Sequence, residues 1–412
     1  MRRRDGEAGG AGTGRRPPLT IIFAITMTGI LVNTLVSPVI PDILDDLQAN
    51  RNLAGLLLAA ATMPGILLAP AAGILADRFG RREVIVPSLV LFGLGGLAGG
   101  LAPNFWFLIG MRLVQGAGSA GLINLAIVVI GDHWDGADRA RVIGRNAAVL
   151  TVSLALLPPL GGFLAELGSW RTPFFVYPVA LVTAWGVLRR LERQPTRDVR
   201  FREQLNEAAP YLTSPTTVGV LGAGVILFVL IFGLVLTVFP LFLESRFGLG
   251  PSMRGVMLGL PAVTSTTGAL LMGRLNERFG RRGPLIASAA LFPVAYAIIG
   301  PAPHLWIVVV GILVMGAGEG VLIPTLQDIA AGVAPRSSRG TVVAVWVGAA
   351  RLGQTIGPVV AGVALGALGA TATFGAGAAV AVTMPAILAF VLRGGRVRAL
   401  EGEPTRVAEP PS

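Results

Sequence analysis

The sequence predicts an all-α membrane protein whose twelve transmembrane helices form two six-helix bundles related by a pseudo-two-fold axis. Three observations carry that prediction. The 412 residues are 53% hydrophobic and only 13% charged, with a mean hydropathy of +0.73, too apolar for a domain of ordinary soluble composition. The apolar residues gather into twelve runs of about 20, the length that crosses roughly 30 Å of hydrocarbon at about 1.5 Å per residue. The second half of the chain also repeats landmarks of the first at a fixed offset of 200 positions.

In chain order the runs cover residues 19–40, 53–75, 84–101, 105–130, 142–164, 174–188, 218–243, 253–272, 285–299, 305–331, 341–368 and 372–392. They leave an N-terminal tail (1–18), a first bundle (19–188), a linker (189–216), a second bundle (217–392) and a C-terminal tail (393–412). Charge sorts the connections. All 33 basic residues are arginine, and 27 fall in the two tails, the linker and the second–third, fourth–fifth, eighth–ninth and tenth–eleventh connections. Arg51, Arg171, Arg246 and Arg254 lie on the other side, while Arg112 and Arg351 lie inside helices. Basic residues are in excess on cytoplasmic loops, so both tails are expected in the cytoplasm, which requires an even number of crossings. The basic start is not expected to be a signal peptide, because the run from Leu19 is too long and lacks a small-residue cleavage site.

The repeat decides the architecture. GILADRFGRR at 73–82 returns as GRLNERFGRR at 273–282, and at the same offset Trp106 matches Trp306, Gly116 and Gly118 match Gly316 and Gly318, Pro158 matches Pro358, and Gly162 matches Gly362. Agreement over several helices without a gap implies a duplicated six-helix unit. Two such units about an axis along the membrane normal can rock around a central site and expose it to each side in turn. The linker carries Pro195, Pro210 and Pro215; Phe201 and Leu205 could give it a short amphipathic helix, the alternative being a solvated connector.

Several chemistries are excluded. There is no cysteine, hence no disulfide, thiolate metal site or cysteine nucleophile. His133 and His304 flank loops, so no metal site is expected. A net charge of +11 would suggest nucleic acid in a soluble protein, but sorted by side it reports topology instead. The glycine-rich GLGGLAGG and VMGAGEG lie within membrane helices, where glycine serves packing rather than the mouth of a dinucleotide fold. Neither an ATP-driven pump nor a membrane enzyme is expected, and no cofactor.

Gly73, Asp77, Arg78, Gly80, Arg81 and Arg82, between helices two and three, resemble the signature of the major facilitator superfamily, and the whole chain resembles its twelve-helix drug:proton antiporters. The resemblance implies a gate at the cytoplasmic face that locks the outward-facing state, with Asp132 as the partner of Arg81 and with Glu277, Arg278 and Arg281 as the second copy. Read without the resemblance, Gly80 permits a tight turn, Gly73 permits close helix approach, and the arginines anchor topology. Arg112, Gln115, Gly116, Gly118 and Ala120 resemble the family's arginine-bearing motif in helix four. An arginine at membrane depth costs several kcal/mol unless it is paired or faces water, so Arg112 either faces a cavity or snorkels to the interface. Helix five shows the family's antiporter pattern in Gly144, Pro158, Gly161 and Gly162, with Ser153 and Leu157 where glycines are expected; Gly353, Gly357, Pro358, Ala361 and Gly362 of helix eleven fit it better.

Charges that the duplication does not share mark a candidate site. Glu319 aligns with Ser119 and Arg351 with Thr151. Both lie sixteen residues from Pro335, about 24 Å along their helices, near the bilayer centre. Glu319 is expected either to carry a proton, with Arg351 tuning it, or to form a fixed ion pair with Arg351. Asn33, Gln115, Asn124, Gln327 and Gln354 are expected to line a cavity or to bridge helices, and Phe228, Phe232 and Phe239 to offer an apolar surface or face lipid. The sequence thus reads as a proton-coupled exporter of small amphipathic compounds. The alternatives are an importer or facilitator of organic solutes, and a receptor that transports nothing. The expected partners are the small-molecule substrate, protons and membrane lipid, with no nucleic acid, and the chain is expected to act as a monomer. Arginine-only usage points to a GC-rich prokaryote and hence to its plasma membrane.

Overall fold

The computed structural model describes residues 16–193, 201–335 and 338–392, apart from the side chains of 201–205. Most of both tails lies outside this range. The first bundle holds helix one (Leu19–Asp46), two (Arg51–Phe79), three (Arg81–Gly100), four (Phe105–His133), five (Gly136–Leu167) and six (Thr172–Arg190). The second holds helix seven (Pro215–Phe247), eight (Pro251–Phe279), nine (Arg282–Ile299) and ten (Leu305–Gly332), followed by a 53-residue element, Arg339–Val391.

That last element holds the eleventh and twelfth runs, with its break inside the expected gap at 369–371. No loop divides them. Gly369 bends the chain at φ 76°, ψ 169°, a conformation that glycine alone adopts without strain. Residues 339–368 form helix eleven and 370–391 return as helix twelve. Trp346 and Val391 accordingly meet Gly224 and Gly219 of helix seven, one turn or so apart. Twelve crossings result. Other helices outrun their apolar segments because charged residues at the headgroup level still satisfy their backbone best in a helix. Helix five, for example, already begins at Gly136 and includes Arg139, Arg141 and Arg145.

The linker contains a helix, Phe201–Leu212. Ala208 is buried there, and Tyr211 and Leu212 pack on the second bundle's core. The side chains of Phe201 and Leu205, on which the amphipathic reading rested, lie outside the described residues.

Burial follows the duplication. One cluster of buried apolar residues belongs almost wholly to each bundle. Phe92 and Phe174 surround Tyr177 edge-on in the first, and their equivalents Phe292 and Phe374 surround Tyr296 in the second. The tyrosine has changed helix: positions 96 and 177 are Gly and Tyr, whereas 296 and 377 are Tyr and Gly. Trp106 and Trp306, each 65% exposed, occupy matched positions where aromatic rings favour the membrane interface.

The joint between bundles is also two-fold. Gly55 of helix two leaves no room for a Cβ against the carbonyl of Pro358 in helix eleven, and its equivalent Gly255 of helix eight abuts the carbonyl of Pro158 in helix five. Gly362 meets Asn52, and Gly162 meets Pro251 and Ser252. The helix-bending residues of the sequence, Pro158, Gly162 and Pro358, therefore sit at the crossings between halves. Gly161 and Gly357 instead pack within their own halves, on Leu35 and Val229.

Helix seven contains a π-helical stretch, Ile231–Val238, a wide turn that is rare and often functional. Within it the carbonyl of Leu236 is turned toward the other half and accepts a 2.6 Å hydrogen bond from the Ser37 hydroxyl.

Candidate functional site

The halves touch on the arginine-poor side and part toward the arginine-rich side. Among the described residues, every hydrogen bond and ion pair between them lies at mid-depth or beyond it. Arg254 reaches Asp42 at 2.6 Å, Arg51 reaches Glu244 at 3.0 Å, and the Thr62 hydroxyl donates to the Gln354 carbonyl at 3.2 Å and accepts from Thr355 at 3.1 Å. A Cβ at Gly73, near the arginine-rich end of helix two, would meet nothing within 4 Å. Arg254 is only 1% exposed and Asp42 is half-buried, so Asp42–Arg254 is a partly desolvated lock on the closed side. The sequence placed Arg254 among the loop charges and passed over it, since nothing in one chain segment marks a partner 212 residues away.

At the arginine-rich end Gly80, at φ 103°, turns the chain so that Arg81 points back beneath the first bundle. Its Nε donates to Asp132 at 3.1 Å and its Nη1 pairs with Asp77. This is the pairing that the resemblance implied, and Arg81 is buried by it. Arg78 is exposed, over the Phe79 ring, and Arg82 is half-buried. The second copy is looser. Glu277 and Arg278 are exposed, and Arg281 pairs at 3.1 Å with Asp328 rather than with Glu277. Asp328 escaped notice because position 332, aligned with Asp132, is glycine; the acid sits one helical turn earlier. An exposed pair contributes about 0–1 kcal/mol, whereas hydrogen bonds to charged groups in a protected site contribute about 1.5–3 kcal/mol. Arg81→Gln is therefore expected to lower thermal stability in detergent clearly, and Arg281→Gln hardly at all; equal losses would contradict the difference in burial.

Arg112 neither lines a cavity nor snorkels. It is fully buried, and its Nε donates to the Leu57 carbonyl at 3.1 Å, Nη1 to the Val32 carbonyl at 2.7 Å and to Gln115 Oε1 at 2.6 Å, and Nη2 to Asn33 Oδ1 at 2.5 Å. Val32 lies in the last turn of the segment Leu19–Thr34, where carbonyls lose their intrahelical partners. The Tyr177 hydroxyl donates to the Leu31 and Val32 carbonyls from helix six. Arg112 is thus a clamp joining helices one, two and four. Asn33 and Gln115 belong to the clamp and not to a substrate surface.

Glu319 and Arg351 share a depth but are not partners. Glu319 stands at the midpoint of Leu305–Gly332, half-buried, and among the described residues it forms no hydrogen bond or ion pair. No ion pair within 4.0 Å joins it to Arg351, which corrects the expected fixed pair. Arg351 bonds Gln354 Oε1 at 3.3 Å and lies across Gly65 of helix two. Asn124 is half-buried in helix four, while Gln327 is exposed at the arginine-rich end of helix ten rather than central. Phe228 and Phe232 stack obliquely on helix seven and Phe239 is buried. Among the described residues no cluster of acidic or histidine side chains could hold a metal ion.

This arrangement has known counterparts. The model of the Major Facilitator Superfamily matches residues 22–250 and again 221–411. Tetracycline resistance protein, class B, of Escherichia coli is 28% identical over 82% of this chain and 86% of its own. Multidrug resistance protein 1 of Bacillus subtilis is 28% identical over 66% and 72%. A crystal structure of a bacterial homolog to the human lysosomal transporter Spinster, inward-facing and unoccupied, superposes with a TM-score of 0.72 at 18% identity, covering 93% of this chain and 95% of that one. With twelve crossings, a two-fold joint and a family match along nearly its whole length, the chain belongs to the Major Facilitator Superfamily and is a multi-pass membrane transporter of small molecules.

Proposed function

We propose that the protein exports small amphipathic organic compounds in exchange for protons, with both tails in the cytoplasm and with Glu319 carrying the proton. The observation that supports this most directly is the isolation of Glu319. A carboxylate at the bilayer centre is costly, and in membrane proteins such a group is retained where it exchanges protons or meets a ligand. An ion pair would hold it charged through the cycle; without one, it is free to take up a proton when the site faces outward and release it inward. Relatives named for tetracycline and multidrug resistance favour export over import. The arrangement described here, closed on the arginine-poor side, is the cytoplasm-facing state in this reading.

Alternating access is tested with thiols, since the chain has no cysteine of its own. A Cβ at Gly366 would touch the Asn52 carboxamide, so Asn52→Cys with Gly366→Cys brings two sulfurs within reach of a disulfide, whose Cβ atoms stand about 3.5–4.5 Å apart. Oxidation is expected to abolish transport in proteoliposomes and reduction to restore it. Full transport with the bond formed would mean that the joint never opens. Direction is tested in intact cells: expression should lower the accumulation of an amphipathic dye, and a protonophore should reverse the effect, whereas an importer would raise accumulation.

A further inference from the structure

The two arginines at membrane depth solve the same electrostatic problem differently. Arg112 meets four acceptors and is sealed from solvent. Arg351 has a single hydrogen bond among the described residues, 3.3 Å to Gln354 on its own helix, and no acid within ion-pair distance. Its remaining N–H groups are not among the sealed, partnerless atoms, so they remain accessible. A guanidinium presents five donors in a rigid fork suited to bidentate binding of a carboxylate or phosphate, and four of these are unused.

Position adds to the case. Arg351 touches the other half: a Cβ at Gly65 would stand 3.2 Å from its Cδ and 3.3 Å from its Nε. A bulkier residue at 65 would displace the guanidinium. The charge therefore stands at the seam between the halves, at the mid-membrane depth where a shared site would be exposed alternately. Its duplicate position is Thr151, so the charge is no part of the inherited scaffold. Around Gly65 helix two reads MPGILLAP, which offers an anion nothing and an apolar body much.

We propose that Arg351, oriented by Gln354, binds the anionic group of the transported compound, so that the substrates are amphipathic anions such as aryl carboxylates, sulfonates or phosphate monoesters. This deepens the proposed function and rests on it only for the word transported. It also settles the charge balance. Export of a monoanion against one inward proton moves two charges per cycle, so the membrane potential drives the exchange together with the pH gradient.

The test compares three probes of one shape, 2-naphthoate, 2-naphthamide and 2-naphthylmethylammonium, by titration calorimetry of the whole chain in phosphatidylcholine nanodiscs. Hydrogen bonds to a charged group correspond to at least about a tenfold preference. Wild type is expected to bind naphthoate about tenfold more tightly than the amide and the ammonium most weakly. Arg351→Gln should bring naphthoate level with the amide while the amide's own affinity is kept, and Arg351→Lys should retain a preference. Equal affinities, no binding of any probe, or a preference that survives Arg351→Gln would overturn the assignment. Naphthoate binding that disappears when phosphatidylglycerol is added would give the site to a lipid phosphate and also overturn it. Equilibrium binding needs no gradient, so the two readings separate. Proton-driven flux without anion preference rejects this site alone, and anion preference without proton-driven flux rejects the exchange mechanism alone.

Discussion

Replacing Glu319 by glutamine should abolish uphill transport while sparing exchange. In proteoliposomes with the membrane potential clamped at zero, a one-unit pH gradient represents about 1.4 kcal/mol per proton, enough to hold the substrate at about a tenfold concentration ratio. The Glu319→Gln variant is expected to hold a ratio near one, yet to exchange labelled for unlabelled substrate at a rate comparable with wild type. The amide has nearly the shape of the protonated acid and cannot lose a proton, so it fixes one state of the cycle without disturbing packing. Glu319 sits half-buried and, among the described residues, forms no hydrogen bond or ion pair, so the change breaks none of these. An undiminished ratio in the variant would remove Glu319 from the coupling mechanism.

Arg112→Leu should be the most destabilising single substitution among the charged residues within the membrane, by about 3 kcal/mol. Truncation leaves the Asn33 and Gln115 oxygens without their donor and takes one donor from the Leu57 carbonyl and from the Val32 carbonyl, which keeps the Tyr177 hydroxyl; a buried oxygen left unpaired costs about 1–3 kcal/mol. Removing a buried charge recovers several kcal/mol of desolvation, which brings the net below the simple total. The sign stays unfavourable because three helices converge on a hole shaped for a planar group. The loss should appear as a lowered melting temperature and aggregation in detergent. Arg351→Leu, which breaks one 3.3 Å hydrogen bond, should melt close to wild type. If the two variants melted alike, the distinction between a clamp and an open cation would fail.

The fold was legible because it depends on quantities that a sequence carries directly. Apolar run length counts the crossings, and the offset linking Pro158 to Pro358 is the same one that pairs their contacts with Gly255 and Gly55. The pairing of Arg81 with Asp132 was legible only through the family resemblance of the turn between helices two and three, since the two residues end different helices. Glu319 and Arg351 show where reading stops. Counting from Pro335 gives rise, about 1.5 Å per residue, but each residue also turns the helix by about 100°, and whether two side chains face each other depends on how both helices are rotated. Arg112 was recognisable as unusual, yet its acceptors are backbone carbonyls of Val32 and Leu57, which carry no sequence signature. The Asp42–Arg254 lock joins the two duplicated units, so neither unit alone reveals it.

The wide turn of helix seven carries surplus backbone. Each five-residue loop of hydrogen bonding stores one residue more than an ordinary turn would use, and that excess can migrate along the rod by exchanging carbonyl partners one at a time, without any stretch unwinding. Were Ser37 to let go of Leu236, moving that excess would rotate the residues it passes by a fraction of a turn while keeping the rod helical, so helix seven could re-aim its face beside the crossing that has to come apart.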